Sequence, residues 1–175
     1  MVRTRCALLL RYIEQSSRLG ALLIILTLGS FSFAAQEVPF KLTMEGGFVF
    51  IDETSATISG TGISSHGGYT TLFGNVGISP TTACPSPPGY HAIQSNEYEV
   101  ANGDLIFITV DEDACFETEP GIATVNGTWE ITGGTGRFSG ATGSGTYLGF
   151  ADFNTNTGEQ NLTGTISVPM GKKDN

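Results

Sequence analysis

Between Ile131 and Phe153 the chain reads ITGGTGRFSGATGSGTYLGFADF, with six glycines from Gly133 to Gly145. Glycine at this density lets the backbone take positive φ and lets neighbouring strands approach closely. Strand-like residues lead in and out, so the stretch reads as a sharp corner of a small β-barrel. It carries no His, Cys, carboxylate pair or phosphate-loop lysine. What it specifies is a fold, not a reaction.

The rest of the chain alternates in the same manner. Phe40, Leu42, Met44, Phe48 and Phe50 share one parity, with Lys41, Thr43 and Glu45 on the other, the pattern of a half-buried strand. Asp52-Glu53 then turns the chain. Ser55 to Ile63 is a weaker strand with Ala56 and Ile58 inward, and Tyr69 to Ile78 a third with Leu72, Val76 and Ile78 on one side. Ser79 to Tyr90 holds four prolines and is expected to be a long surface loop, since proline cannot serve a central strand. Glu97 and Glu99 alternate with Tyr98 and Val100. Asn102-Gly103 follows, a strong hairpin signal. Leu105 to Val110 is apolar on both parities, which suits a strand covered on both faces. Ala123, Val125, Trp129 and Ile131 mark the clearest strand; Thr146, Leu148 and Phe150 are read as the seventh, and Leu162, Ile166 and Val168 as the eighth. Eight short strands joined mostly by tight turns predict a single antiparallel up-and-down barrel spanning residues 36–169.

The first 34 residues are read apart from it. Arg3, Arg5, Arg11 and Arg18 precede the apolar run Leu19–Leu28, and Ser32-Phe33-Ala34 offers a cleavage site, so residues 1–34 are expected to be a signal peptide cut after Ala34. Its helix could instead remain as a membrane tether, although Leu19 to Phe33 falls short of the roughly 20 residues that span a bilayer. Without it, the chain keeps four basic residues against sixteen acidic ones, a formal −12. That charge opposes binding to nucleic acid or anionic lipid. A secreted or periplasmic location follows, with no membrane association of the mature form and a disordered tail at 170–175. Cys84 and Cys115 remain in an exported chain and are expected to form a disulfide.

Motifs for chemistry are weak. Ser139 stands where the third glycine of a dinucleotide loop belongs, and Gly140–Thr146 lacks the phosphate-loop lysine. Asp111, Glu112, Asp113, Glu117 and Glu119 could in principle gather a Ca²⁺ ion, but they lack the order and central glycine of an EF-hand and read as a solvated acidic turn. His66 and His91 lie apart, which argues against a metal site; Ser64 and Ser65 beside His66 do not by themselves make a nucleophile and base. No metal, cofactor or catalytic residue is assigned. Phe48, Phe50, Phe73, Tyr98, Phe107, Trp129, Tyr147 and Phe150 are the candidates to line a lumen for an apolar ligand. They would equally fill the core of a closed barrel, which is the default expectation.

Gly133-Gly134-Thr135-Gly136-Arg137-Phe138, with Gly140 and Gly143 after it, resembles a signature of the allene oxide cyclase-like and dirigent-like barrels. Leu162–Ile166 is similar to the closing strand of the cyclase group, and Asn102-Gly103-Asp104 before an apolar strand is similar to small secreted bacterial barrels of this type. The resemblance covers roughly Glu97 to Val168. It implies an eight-stranded barrel with an apolar lumen and transfers no active site, because Phe40 to Ile78 carries no matching motif. Two functions are therefore expected. One is non-enzymatic binding of a small apolar ligand or surface component. The alternative is a cyclase- or dirigent-like isomerase that guides an intermediate by confinement. Oligomeric state is left open.

Overall fold

The computed structural model describes residues 36–84, 89–117 and 119–169. Residues 1–35 and 170–175, which hold the segments read as signal and tail, lie outside them. Eight strands follow one another: β1 (Glu37–Asp52), β2 (Ser55–Ser64), β3 (Gly68–Thr81), β4 (Gly89–Val100), β5 (Leu105–Phe116), β6 (Ile122–Gly134), β7 (Thr142–Asp152) and β8 (Thr157–Ser167). Each pairs antiparallel with its neighbour in sequence, and β8 pairs back onto β1. The sheet thus closes as an up-and-down barrel with no free edge. Among the described residues the only helix is one 3₁₀ turn, Gly136–Phe138, inside the glycine corner.

Up-and-down order puts the turns after β1, β3, β5 and β7 at one end of the barrel. The turns after β2, β4 and β6 lie at the other, together with the start of β1 and the end of β8. This second end is closed by side chains. Its central feature is a row running across four strands: Trp129 on β6 faces Gly145 on β7, Gly145 faces Gly164 on β8, and Gly164 faces Phe40 on β1. The two glycines leave the space that the two rings fill, with centroids 5.3 Å apart. A side chain at Gly164 would strike the Trp129 ring. The indole N–H, buried with its ring, donates to the Thr163 carbonyl at 3.2 Å, so the polar end of the largest core residue is satisfied.

The glycine corner seals that end. A bulge near Ile131–Gly133, where the β5 partner register skips a residue, bends β6 inward. Gly136 then takes φ 52° and Gly140 φ 73°, conformations that favour glycine. Phe138 between them turns into the core and is 1% exposed. Across the end, Asp104 of the β4–β5 turn accepts from the Arg137 backbone N–H at 3.2 Å and lies 3.6 Å from its guanidinium. The Asn102 side chain first, then the Arg137 N–H, hold the Asp104 carboxyl below the usual carboxylate range.

Three expectations are corrected. The proline-rich loop is shorter than Ser79–Tyr90: pairing continues to Thr81 opposite Gly89, with Pro80 opposite Tyr90 at a strand end where its missing N–H is tolerated. Cys84 and Cys115 are joined beside it, their Cα atoms 5.4 Å apart. On β7 the inward residue is Tyr147, while Thr146, Leu148 and Phe150 occupy the other parity, with Leu148 exposed. Finally, Asp111–Asp113 is not a turn. It belongs to β5, whose alternation sends Glu112 inward with Ile106, Ile108, Val110 and Ala114 and sends Asp111 and Asp113 outward.

Candidate functional site

The opposite end of the barrel is not filled. A cavity of about 790 Å³ opens there, within the usual range for small-molecule pockets of roughly 300–1,000 Å³. Its existence follows from a second row of facing residues: Ala123 on β6, Ala151 on β7, Gly158 on β8, Gly46 on β1 and Gly60 on β2. No residue in this row has a side chain larger than a methyl group. At the closed end two glycines are covered by two large rings. Here five small residues separate Phe116 at one end of the row from Leu72 at the other, and nothing between them reaches across. Ala56, Ile58, Leu72, Val76 and Ala92 supply the facing apolar wall.

Aromatic rings border the mouth. Phe50 touches Phe48 (5.7 Å between centroids), Phe48 touches Phe153 (5.2 Å), Phe153 touches Phe116 (5.2 Å) and Phe116 touches Tyr90 (5.8 Å). These five rings come from β1, the β7–β8 turn, β5 and β4, and all line the cavity. The spacing is that of edge-to-face and tilted aromatic contacts, which are favourable beyond simple burial.

The cavity floor is polar. From Tyr98 a hydrogen-bonded chain climbs the inward face of β4 and crosses to β5. Asn96 Nδ2 donates to the Tyr98 hydroxyl (3.2 Å) and to Gln94 Oε1 (2.8 Å), and Gln94 Nε2 donates to Glu112 Oε1 (2.7 Å). Gly74, lacking a Cβ, leaves room for the Asn96 amide. Gly127 separates Glu112 from Tyr147 across β6, so the carboxyl and the phenol approach over a residue with no side chain. Burial pushes the Glu112 carboxyl up to about 7, against the opposing pull of hydrogen bonds from Gln94 and Tyr147 and of the nearby His91. Burial, then the Glu112 and Tyr98 groups, push the Tyr147 phenol well above its ordinary value. Three buried oxygens in this region, Glu112 Oε2, Asn96 Oδ1 and Gln160 Oε1, accept no hydrogen bond.

Of the eight aromatic candidates, Phe48, Phe50, Tyr147 and Phe150 line the cavity. Tyr98 and Trp129 are buried in the packed half below it. Phe73 is 58% exposed on the outer face. Phe107 is half-buried there, where it sits against Gly133. The histidines stay apart from the cavity chemistry. His66 Nε2 donates to the Pro39 carbonyl at 2.7 Å and its ring stacks on Phe40, while Ser64 is buried and accepts from Thr70. His91 lies between Asp111 (3.8 Å) and Asp113 (3.4 Å) on the outer face. Among the described residues no group of three or more His, Cys, Asp or Glu side chains is placed to hold a metal ion.

Gln94, Asn96 and Gln160 were not among the candidates, and Glu112 was read only as part of a solvated acidic turn. The signal for three of them was present: the parity of Tyr98 and Val100, carried back along β4, reaches Asn96 and Gln94, and that of Val110, carried forward along β5, reaches Glu112. No protein-family model matches the chain, and neither does any curated protein or solved structure.

Proposed function

We propose that this protein is an exported binding barrel whose open half holds a small, largely apolar ligand. The observation that carries the reading is the row of small residues from Ala123 to Gly60, which leaves about 790 Å³ unfilled inside an otherwise packed barrel. A chain that gained nothing from this space could fill it with a few larger side chains, as it does at the other end. The joined cysteines support an oxidising, extracytoplasmic location, as does the acidic surface. The glycine corner with its buried phenylalanine supports kinship with the allene oxide cyclase-like and dirigent-like barrels.

The test is titration with N-phenyl-1-naphthylamine, a neutral apolar fluorophore. Saturable 1:1 enhancement is expected, and Ala151→Phe, which puts a ring into the cavity, should abolish it while leaving the protein folded. Absence of enhancement, or full enhancement in Ala151→Phe, would sink the reading.

One observation favours a second reading, isomerisation by confinement. Glu112 carries a carboxyl with a pKa of about 7 at the floor of the pocket, beside the Tyr147 hydroxyl, and a group poised near neutral pH can give or take a proton. On that reading Glu112→Gln would keep ligand affinity and lose turnover.

A further inference from the structure

We infer that the ligand of this cavity is an organic amine, bound as its ammonium ion with the charged head at Glu112 and an apolar body reaching the aromatic mouth. The inference rests on the binding reading above and names the chemical class that the site selects.

Glu112 is 7% exposed and its Oε2 accepts no hydrogen bond. A buried carboxylate with a free oxygen is expensive to hold, and a ligand that supplies both a positive charge and an N–H removes the two costs together. Gln160 Oε1, on a second residue lining the same cavity, is likewise an acceptor without a donor. An ammonium group, with three donors, suits several acceptors; a carboxylic acid brings a single donor while protonated, and once ionised it brings no donor and a charge of the wrong sign.

The approach points the same way. Asp52, Glu53 and Glu159 border the cavity, and among the described residues no lysine or arginine does. Lys41 and Arg137 lie towards the closed end, by Ser65 and Asp104 respectively, and Lys172 and Lys173 fall outside the described residues. A mouth lined by one sign of charge concentrates the opposite ion. The five contacting rings at that mouth present π faces, which attract cations and pack well against a hydrocarbon or aromatic body. Glu112 and Phe116 are four residues apart on β5, so floor and mouth are separated by roughly 13 Å at about 3.3 Å per residue. That length takes a chain of about eight carbons beyond the nitrogen.

The groups facing Glu112 leave its charge to the ligand. From β4 come Gln94 and, through the wall, His91; from β5 Asp111 and Asp113 point outward; β6 offers only Gly127; β7 brings Tyr147, with Tyr98 beyond it. Of these, only His91 can carry a positive charge, and it sits outside between the two aspartates.

The experiment is calorimetric titration of the mature protein with octylamine, octanol and octanoate. Octylamine should bind at least about tenfold more tightly than octanol, a difference of about 1.4 kcal/mol, and octanoate more weakly than both. Octylamine, with an ordinary pKa of roughly 10, stays protonated throughout the range of interest. Its affinity should therefore fall as pH drops from 8 to 5 and Glu112 takes up a proton, while that for octanol should not. Glu112→Gln should bring the amine-to-alcohol ratio close to one. The wild-type pH series stands in if that variant does not fold. Equal or better binding of octanol or octanoate, or an amine affinity indifferent to pH, overturns the inference and leaves the binding reading standing. Failure of all three probes, together with failure of the neutral fluorophore, overturns both.

Discussion

The two halves of this barrel place small residues in facing rows and use them for opposite ends. In the closed half, Gly145 and Gly164 lie between Trp129 and Phe40, and the rings meet over them. In the open half, five small residues, Ala123, Ala151, Gly158, Gly46 and Gly60, stand in a row between Phe116 and Leu72, and the row is too long for those two side chains to meet over it. Glycine content alone therefore does not decide whether a small barrel is solid or hollow. The deciding factor is how many small residues stand between the large ones, two in the closed half and five in the open half. The polar groups follow the same division. They collect at the boundary, on the floor formed by Gln94, Asn96, Glu112 and Tyr147, where the packed half stops.

The sharpest way to break this comparison is to delete two rings from the closed half and one from the open half. Trp129→Ala should cost about 3–5 kcal/mol, since the cavity left among tightly packed neighbours cannot collapse, and Phe138→Ala on the order of 3 kcal/mol for the same reason. Phe153→Ala, at the half-exposed mouth, should cost under about 2 kcal/mol because less apolar surface returns to water. Denaturant unfolding of the three variants checks the ranking; a Phe153→Ala loss equal to that of Trp129→Ala would mean the open half is packed as the closed one is.

Next in size is the disulfide, which ties the open end. Closing a loop across 31 residues is worth about 3 to 4 kcal/mol in the chain-entropy model. Cys84→Ser should lower the unfolding midpoint accordingly and Cys115→Ser equally. Mass analysis finding two free thiols in the exported protein would remove the claim.

The floor predicts an unusual pH profile. Glu112 has a folded pKa of about 7 against an ordinary 4.5, so the folded state holds the proton more tightly than the unfolded chain. The stability this confers is fully present below about pH 4.5 and is lost as pH rises through about 7. The change is on the order of 3 kcal/mol. Asp52, Asp104 and Asp152 are shifted downward by turn hydrogen bonds and work in the opposite sense, favouring the fold only above the usual carboxylate range. Ligand-free protein should accordingly melt highest near pH 5 and lower at pH 8. Glu112→Gln should flatten that slope, and a wild-type midpoint rising from pH 5 to 8 would contradict the assignment.

Much of the closed half was legible in the sequence. Alternation placed Phe40, Leu42, Trp129 and Leu162 inward, Asn102-Gly103 gave the β4–β5 hairpin, and the glycine corner announced its positive-φ positions. These are local signals that tertiary context reinforces. The open half was harder for a physical reason. Its outer surface carries Leu148 and Phe73, and Phe150 at the mouth shares the parity of Leu148, so on β7 the larger apolar residues fall on one parity while the inward row is marked only by Tyr147, Ala151 and glycines. Apolar size then points to the wrong face. Glu112 was hidden in a run of acids, where charge masks the parity that strand neighbours define. Whether the lumen would be filled depended on cross-strand register, which no single strand reveals.

The smallest effects lie in the corner itself. Gly136→Val should cost about 1–3 kcal/mol, because φ 52° resists a β-branched residue and the new side chain would meet the Asp104 carboxylate. Arg137→Ala should shift the melting midpoint least of all these variants, since its pair with Asp104 sits at the surface. If Arg137→Ala proved the most damaging, the corner would be a partner or anion site instead of a seal.

The claim that one half is hollow and the other solid is tested most directly by crystallography under xenon pressure, because xenon enters apolar space large enough to hold it. Xenon is expected between the Ala151–Gly60 row and the wall of Ile58 and Val76, with none around Trp129, Phe40 and Phe138. Xenon in the closed half, or an open half whose side chains have folded in to exclude it, would contradict the account.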